Sequence, residues 1–278
     1  MPNNPLTQYF RQPAIYVKLP SDGKFYPEGT LDMPANHELP VYPMTAIDEI
    51  TYRTPDALFN GNAVVNVIKS CIPAIRDPWA IPAMDVDTIL VAIRIASYGH
   101  TMEIDTACPH CKEEASYGLD LRMVMEGMRA PDYNKPIKDG DLEIYFKPMT
   151  YKNLNDNNQR QFEEQKILQV LPNADIPEEQ RMSALSEALL KLTSITVSAI
   201  AQSIAAVKTP DSLVSDSEHI EDMLKNCDRR LFGKIRDHII DVKAVGEIQP
   251  MKLKCNSCEK EYQQAITLDM TNFFADAS

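Results

Sequence analysis

Glycine is scarce, with nine residues in a chain of 278. Loops that cradle phosphate need several glycines close together, because only glycine lets backbone N–H groups converge on an anion. No P-loop, GxGxxG, GxSxG or HExxH sequence occurs. The five histidines, His37, His100, His110, His219 and His238, are scattered without nucleophile–base spacing. Acidic pairs such as Glu163-Glu164 and Glu178-Glu179 fall on polar helix faces and read as solvated surface. No catalytic residue is assigned, and the chain is expected not to be an enzyme. Positive charge is also short: 28 Lys and Arg against 40 Asp and Glu leave a formal charge of −12. That argues against a broad phosphate-binding surface, which needs clustered cations. Long apolar runs are missing too. The longest, near 195–207, is interrupted by Ser198, Gln202 and Ser203, so no membrane span is expected. The N-terminal MPNNPLTQYFRQP has no apolar h-region, so no secretory leader is expected and the chain is placed in the cytoplasm.

Cysteines kept reduced in that compartment favour metal over disulfides. Four of the six form two Cys-x-x-Cys pairs, Cys108-Pro109-His110-Cys111 and Cys255-Asn256-Ser257-Cys258. Each pair lies between strand-like segments: 102–105 and 115–121 around the first, 251–254 and 262–270 around the second. Four thiolates make a complete tetrahedral set for one structural zinc ion with no open coordination position. Cys108, Cys111, Cys255 and Cys258 are therefore the expected ligands, in two halves of a zinc ribbon separated by 143 intervening residues. His110 reads as an exposed knuckle residue. Cys71 and Cys227 lie in helical patterns and read as small buried hydrophobes. Two other readings stay open. Cys108-Pro109-His110-Cys111 also occurs in thioredoxin-like oxidants, but that chemistry needs the first Cys at a helix N-terminus, and here an alternating run follows. The thiols could also carry no metal.

The expected fold class is α+β: mainly helical, with a small antiparallel sheet containing the ribbon. Residues 1–44, rich in proline, read as an extended N-terminal arm with a turn at Asp22-Gly23. Residues 45–149 read as short helices plus the first knuckle hairpin. Thr45 caps 46–53, Thr54-Pro55-Asp56 starts and Gly61 stops the next helix, and Asn62 caps 63–72. Residues 85–98 are apolar on most faces and read as the central helix, with Arg94 at its edge. A hairpin over 132–147, turning at Asp139-Gly140, is expected to extend the ribbon's sheet. Residues 150–245 read as a helical insertion, with helices over 154–171 and 178–207 and a capped helix starting at Ser217. Residues 246–278 carry the second knuckle and complete one domain with 45–149.

A family resemblance rests on Leu19-Pro20-Ser21-Asp22-Gly23-Lys24-Phe25-Tyr26-Pro27, Leu39-Pro40-Val41, Met44-Thr45-Ala46 and Asp48-Glu49. It continues through Thr54-Pro55-Asp56-Ala57-Leu58-Phe59-Asn60-Gly61, Ser70-Cys71-Ile72-Pro73, Ala92-Ile93-Arg94-Ile95-Ala96-Ser97-Tyr98-Gly99, the first knuckle and Leu268-Asp269 with Asn272-Phe273-Phe274. In these residues the chain resembles the T4-like baseplate hub proteins, or hub assembly factors, of contractile-tailed phages. The likeness covers residues 1–120 and the last 30 well and the helical middle poorly. It implies a structural or assembly role among other baseplate and hub proteins, in the host cytoplasm during assembly and either lost from or retained in the particle. No small-molecule substrate and no membrane partner is expected. Phe25 and Tyr26 in the arm, and Phe273 and Phe274 at the end, either meet such partners or pack on the chain's own core. Lys112, Lys252, Lys254 and Lys260 motivate a rival, a zinc-ribbon module on nucleic acid. A further rival is a thiol–disulfide oxidoreductase using Cys108 and Cys111.

Overall fold

The computed structural model describes residues 5–52, 60–171 and 177–266. The chain divides into two compact units. The first comprises Met1–Pro78, Met84–Ala130 and Gly246–Ser278, the second Trp79–Ala83 and Pro131–Val245. Helix dominates, and every strand pairing among the described residues is antiparallel, so the α+β class holds.

In the first unit, β1 (Ile15–Val17) pairs with β2 (Leu39–Val41), burying Val17, Leu39 and Val41. Between them the chain turns tightly, with Asp22 at φ 54 and Gly23 at φ 76. That positive φ is what calls for glycine: a Cβ there would be strained, and it would also sit 2.7 Å from Met33 Cε, the movable end of a side chain. The arm is tied down at two points. Arg11 donates to the Pro43 carbonyl (2.5 Å), the Ser70 carbonyl (2.9 Å) and Ser70 Oγ (2.8 Å), and pairs with Asp48 at 3.3 Å. The second tie is Asp85, fully buried in the first turn of a helix. It accepts from Ser21 N (2.9 Å), Ser21 Oγ (2.5 Å) and the Tyr26 hydroxyl (3.1 Å). These donors satisfy a carboxylate that could not be buried alone.

Helices follow the arm in this unit. Helix α1 (Ala46–Tyr52) starts with reciprocal bonds between Thr45 and Asp48, Thr45 N to Oδ2 at 2.8 Å and Asp48 N to Oγ1 at 3.2 Å. Helix α2 (Asn62–Cys71) buries Ala63, Val64, Val67, Ile68 and Cys71, the spacing of one helical face. Its N-cap is Gly61 at φ 75, one residue earlier than the cap expected at Asn62. Helix α3 (Ala83–Tyr98) buries every residue from Thr88 to Arg94, as a central helix should. Arg94 is inside rather than at the edge, 3% exposed, with its guanidinium 5.7 Å from the centre of the Tyr98 ring. The start signal at Thr54-Pro55-Asp56 lies outside the described residues. Next come β3 (Thr101–Ala107), β4 (Glu114–Asp120) and helix α4 (Leu121–Gly127), whose cap Asp120 accepts from Arg122 N. The unit's last described elements come from the far end of the chain.

The second unit is built on a four-stranded sheet. Strands β5 (Ile137–Asp139), β6 (Leu142–Phe146), β7 (Ile204–Lys208) and β8 (Leu213–Val214) lie in that order. Helices α5 (Tyr151–Val170), α6 (Glu178–Gln202), α7 (Ser217–Asn226) and α8 (Arg229–Gly246) complete it. Its core gathers Ile144, Phe146, Val197, Ile200, Ala201, Ile204, Val207, Ile220, Leu224, Leu231 and Ile235. At about 1.5–3 kcal/mol per large side chain, this burial dominates the unit's stability.

Three expectations need correction. The hairpin over 132–147 does not extend the ribbon's sheet: β6 pairs with β7, Ile144 opposite Val207. The helix expected over 178–207 ends at Gln202, because Ile204 and Val207 are β-branched and bury themselves as a strand beside β6. Residues 150–245 thus carry strands as well as helices. Finally, α6 is long and apolar enough by length and composition to cross a membrane. Its apolar part overlaps the start of the interrupted run near 195–207 and extends back through Leu185, Leu189, Leu190 and Leu192.

Candidate metal centre

The site is assembled by two short hairpins of the first unit. Strands β3 and β4 pair from Thr101↔Asp120 to Ala107↔Glu114. Strands β9 (Met251–Lys254) and β10 (Glu261–Gln264) pair from Gln264↔Met251 to Glu261↔Lys254. Each turn carries one cysteine pair, and the two turns share one backbone pattern. Cys108 N donates to Glu113 O (2.9 Å) and Lys112 N to Cys108 O (2.9 Å). Cys255 N donates to Lys260 O (3.0 Å) and Glu259 N to Cys255 O (3.0 Å). In both, the residue after the second cysteine is left-handed: Lys112 at φ 66 and Glu259 at φ 58. That twist folds the turn back so that both sulfurs of a pair face one point.

The turns bring the four sulfurs of Cys108, Cys111, Cys255 and Cys258 within 4.8 Å of one another. Cys108 Sγ lies 3.8 Å from Cys258 Sγ, and Cys111 Sγ lies 3.6 Å from Cys255 Sγ. Four sulfurs around one ion at about 2.3 Å sit about 3.8 Å apart at tetrahedral angles. The spacing therefore fits a single ion. Cys108 and Cys255 are buried, Cys258 is half-buried and Cys111 is exposed.

The electrostatics fit as well. Burial raises the Cys108 thiol, but the N–H groups of Cys111 and His110 more than offset it and bring it down to about 6. The N–H groups of Cys258 and Ser257 lower Cys255 in the same way. At Cys111 the N–H of Glu113 favours the thiolate, yet burial and the sulfurs of Cys255, Cys258 and Cys108 push it up to about 12. The turns thus favour anionic sulfur, while mutual crowding resists four negative charges at once. A cation among them relieves the crowding.

Around the sulfurs lies a small apolar cluster of Leu253 and Tyr262 with Tyr117 and Met251. Thr106 Oγ1 donates to Gln264 Oε1 (2.6 Å) and the Tyr117 hydroxyl to the Lys254 carbonyl (3.2 Å), so side chains also join the hairpins. These contacts and the two left-handed residues escape a reading by cysteine spacing. Their only trace is the alternation of β3 and β4, which aims Thr106 and Tyr117 to one side.

The remaining expected residues are placed as follows. His110 is exposed and outside the sulfur cluster. Phe25 is 46% exposed at φ 70, while Tyr26 is half-buried with its hydroxyl on Asp85. Phe273 and Phe274 lie outside the described residues. Lys112, Lys252, Lys254 and Lys260 are all exposed, interleaved with exposed Glu113, Glu114, Glu259 and Glu261. No helix follows Cys108: the chain turns straight into β4, so the dipole a thioredoxin-like thiol requires is not there.

Comparison with known proteins gives one match. A family model described as T4 bacteriophage base plate protein matches residues 15–275. No curated protein and no solved structure matches.

Proposed function

The chain belongs to the T4 bacteriophage base plate protein family, and from that premise we propose that it is a structural or assembly protein of the baseplate hub in a contractile-tailed phage. The observation that carries this reading is the family match over residues 15–275, which takes in both knuckles and most of the arm. The hub rests on the arm, helix and knuckle sequences that resemble hub proteins. The chain works by protein–protein contact rather than catalysis, with other baseplate and hub proteins as its partners. It assembles in the host cytoplasm and becomes, or helps to build, part of the virion.

Zinc is the ion proposed for the four thiolates. Bound there, it supplies a closed tetrahedral cross-link with no position for substrate. Cys108 and Cys111 hold one side and Cys255 and Cys258 the other. The N–H groups of His110, Cys111, Ser257 and Cys258 orient and stabilise the sulfurs. The cross-link joins the middle of the sequence to its end and fixes the hairpins as a platform for partners.

Two experiments test these readings separately. A nonsense allele of the gene in its phage should block baseplate assembly and be rescued by the chain in trans. Normal tails from the null phage would overturn the baseplate role. Metal analysis of purified protein should find one zinc per chain, lost in Cys108→Ser. Equal zinc in both proteins would remove the site.

A further inference from the structure

The four clustered sulfurs are not equally reachable. Cys111 is exposed and Cys258 half-buried, whereas Cys108 and Cys255 are only 1% and 2% exposed. Two close pairs run across the knuckles, and each joins a reachable sulfur to a shielded one. Cys111 Sγ lies 3.6 Å from Cys255 Sγ, and Cys258 Sγ lies 3.8 Å from Cys108 Sγ. Thiol–disulfide exchange needs this division of labour: an outer thiolate that meets the reagent and an inner one that resolves the mixed disulfide.

The fold lets each cross pair close. A disulfide holds its sulfurs about 2.05 Å apart, so either pair must approach by less than about 2 Å. Strands β3–β4 and β9–β10 are separate ladders joined through side chains, Thr106 to Gln264 and Tyr117 to the Lys254 carbonyl. The hairpins can therefore shift toward each other without breaking a ladder. Within one turn that freedom is missing. Cys108 N to Glu113 O, Lys112 N to Cys108 O and the left-handed Lys112 fix both cysteines on one backbone pattern, and the second turn repeats it. A disulfide inside a turn would have to distort that pattern.

We propose that the centre is a convertible cross-link: a small disulfide oxidant exchanges the metal tie for two disulfides between the knuckles, Cys111–Cys255 and Cys108–Cys258. This rests on the reading of the four cysteines as zinc ligands. Metal serves in the reducing cytoplasm, and the disulfides serve in an oxidising medium such as a released particle meets. The oxidant is written RSSR. The Cys111 thiolate attacks one sulfur of RSSR, the S–S bond breaks and RS⁻ leaves. The Cys255 thiolate then attacks the Cys111 sulfur and expels the second RS⁻. A second RSSR oxidises Cys258 and Cys108 by the same two steps. Four thiolates have then lost four electrons, and two RSSR have become four RS⁻. Zn²⁺ departs with its oxidation state unchanged, because the thiolate charges that held it are gone. Since both disulfides cross from one knuckle to the other, over sequence separations of 144 and 150, the two hairpins stay tied.

Oxidation of the purified full chain by glutathione disulfide tests the proposal. Free thiols are then alkylated, and the disulfides are mapped by mass spectrometry of the digest. The native chain should yield peptides joined 111–255 and 108–258 and release its metal as they form, while Cys71, fully buried elsewhere, stays alkylated. Oxidation in denaturant should instead join 108 to 111 and 255 to 258, since closing a loop over two intervening residues costs least entropy. Hydrogen exchange supplies the second readout. Amides of residues 101–120 and 251–264 should exchange at least about 30-fold slower in the oxidised, metal-free chain than in the reduced, chelated one. Disulfides within the pairs of the native chain, a stable mixed disulfide at Cys111, or hairpins as unprotected as in the chelated chain would each overturn the conversion. The zinc reading fails separately, by metal analysis before oxidation, and the disulfide map still decides the pairing.

Discussion

Among the described residues, the ribbon of the first unit closes over a cluster of four buried side chains, two of them cysteines, whereas the second unit closes over eleven, all carbon-rich. Burying Leu253 and Tyr262 contributes about 2 kcal/mol each, too little to hold two hairpins against chain entropy. Sheet pairing does not help across the gap, because β3–β4 and β9–β10 are separate two-stranded ladders. In the second unit, β6 and β7 come from segments far apart in sequence and hydrogen-bond directly, and helices cover them. With the proposed metal in place, one part of the molecule is fixed by ligand chemistry, the other by packing. A small β-structure assembled from distant segments needs a cross-link where a larger one does not.

The strongest challenge to this contrast is removal of the metal. Exhaustive chelation should release the amides of residues 101–120 and 251–264 to exchange at least about 100-fold faster, since a structural ion contributes most of a small site's folding energy. The amides of residues 204–208 and 220–235 should keep their protection. Hydrogen exchange read by mass spectrometry follows both in one sample. Equal deprotection in the two units would show that packing and ligation are not separable here.

The converse substitution comes next in size. Ile235 is fully buried in the second unit's core. Ile235→Ala should cost that unit about 3 kcal/mol by lost burial and the cavity left behind. Metal stoichiometry should stay at the wild-type value, because all four sulfurs belong to the first unit. A drop in bound metal alongside the lost melting transition would couple the two units.

The same contrast explains what the sequence disclosed. Thiolate chemistry is local and spaced, so Cys-x-x-Cys within strand–turn–strand patterns pointed to all four clustered sulfurs across 143 intervening residues. Central helix α3 was legible from continuous apolarity, and the turns at Gly23 and Gly140 from composition. Packing is non-local, and there the reading failed. Residues 204–208 follow a long helix with no proline or glycine between, and only pairing with β6 makes them a strand. The hairpin over 132–147 looked like ribbon because its periodicity says nothing about which sheet it joins. Asp85 looked like a helix-start residue; its role as the buried anchor of Ser21 and Tyr26 depends on where the arm lies.

That anchor gives a third, smaller test, placed where the first unit relies on buried hydrogen bonds rather than metal. Burial raises the Asp85 carboxyl, opposed by the bonds from Ser21 and Tyr26. The folded carboxyl therefore takes up a proton at a pH where its unfolded counterpart, at about 3.9, stays ionised. Acidification through that window favours the folded state, and stability falls as pH rises through the raised value. Asp85→Asn, which cannot titrate and loses an acceptor, should cost about 2 kcal/mol. The cost should grow as pH falls toward 4, about the unfolded carboxyl value. Melting curves of both proteins across that range supply the difference. A cost that shrinks on acidification would mean that the carboxylate, not the acid, is the form the fold prefers.

The finest test leaves every ligand in place and alters only the turn beside it. Lys112 and Glu259 are left-handed without being glycine, at matching positions after Cys111 and Cys258. Such a conformation costs about 1 kcal/mol for a residue with a Cβ. Lys112→Gly removes that cost but gives the unfolded chain more freedom, worth roughly 0.5 kcal/mol, so the net gain is about 0.5 kcal/mol. If the ribbon is held by ligation, this gain appears as metal affinity. Competition with a chelator should show about twofold tighter retention, the factor that 0.5 kcal/mol converts to, while the second unit's melting transition stays where it was. Were the gain to appear in the second unit's melting instead, the ribbon turn would be communicating with the packed core, and ligation and packing would be one cooperative system rather than two.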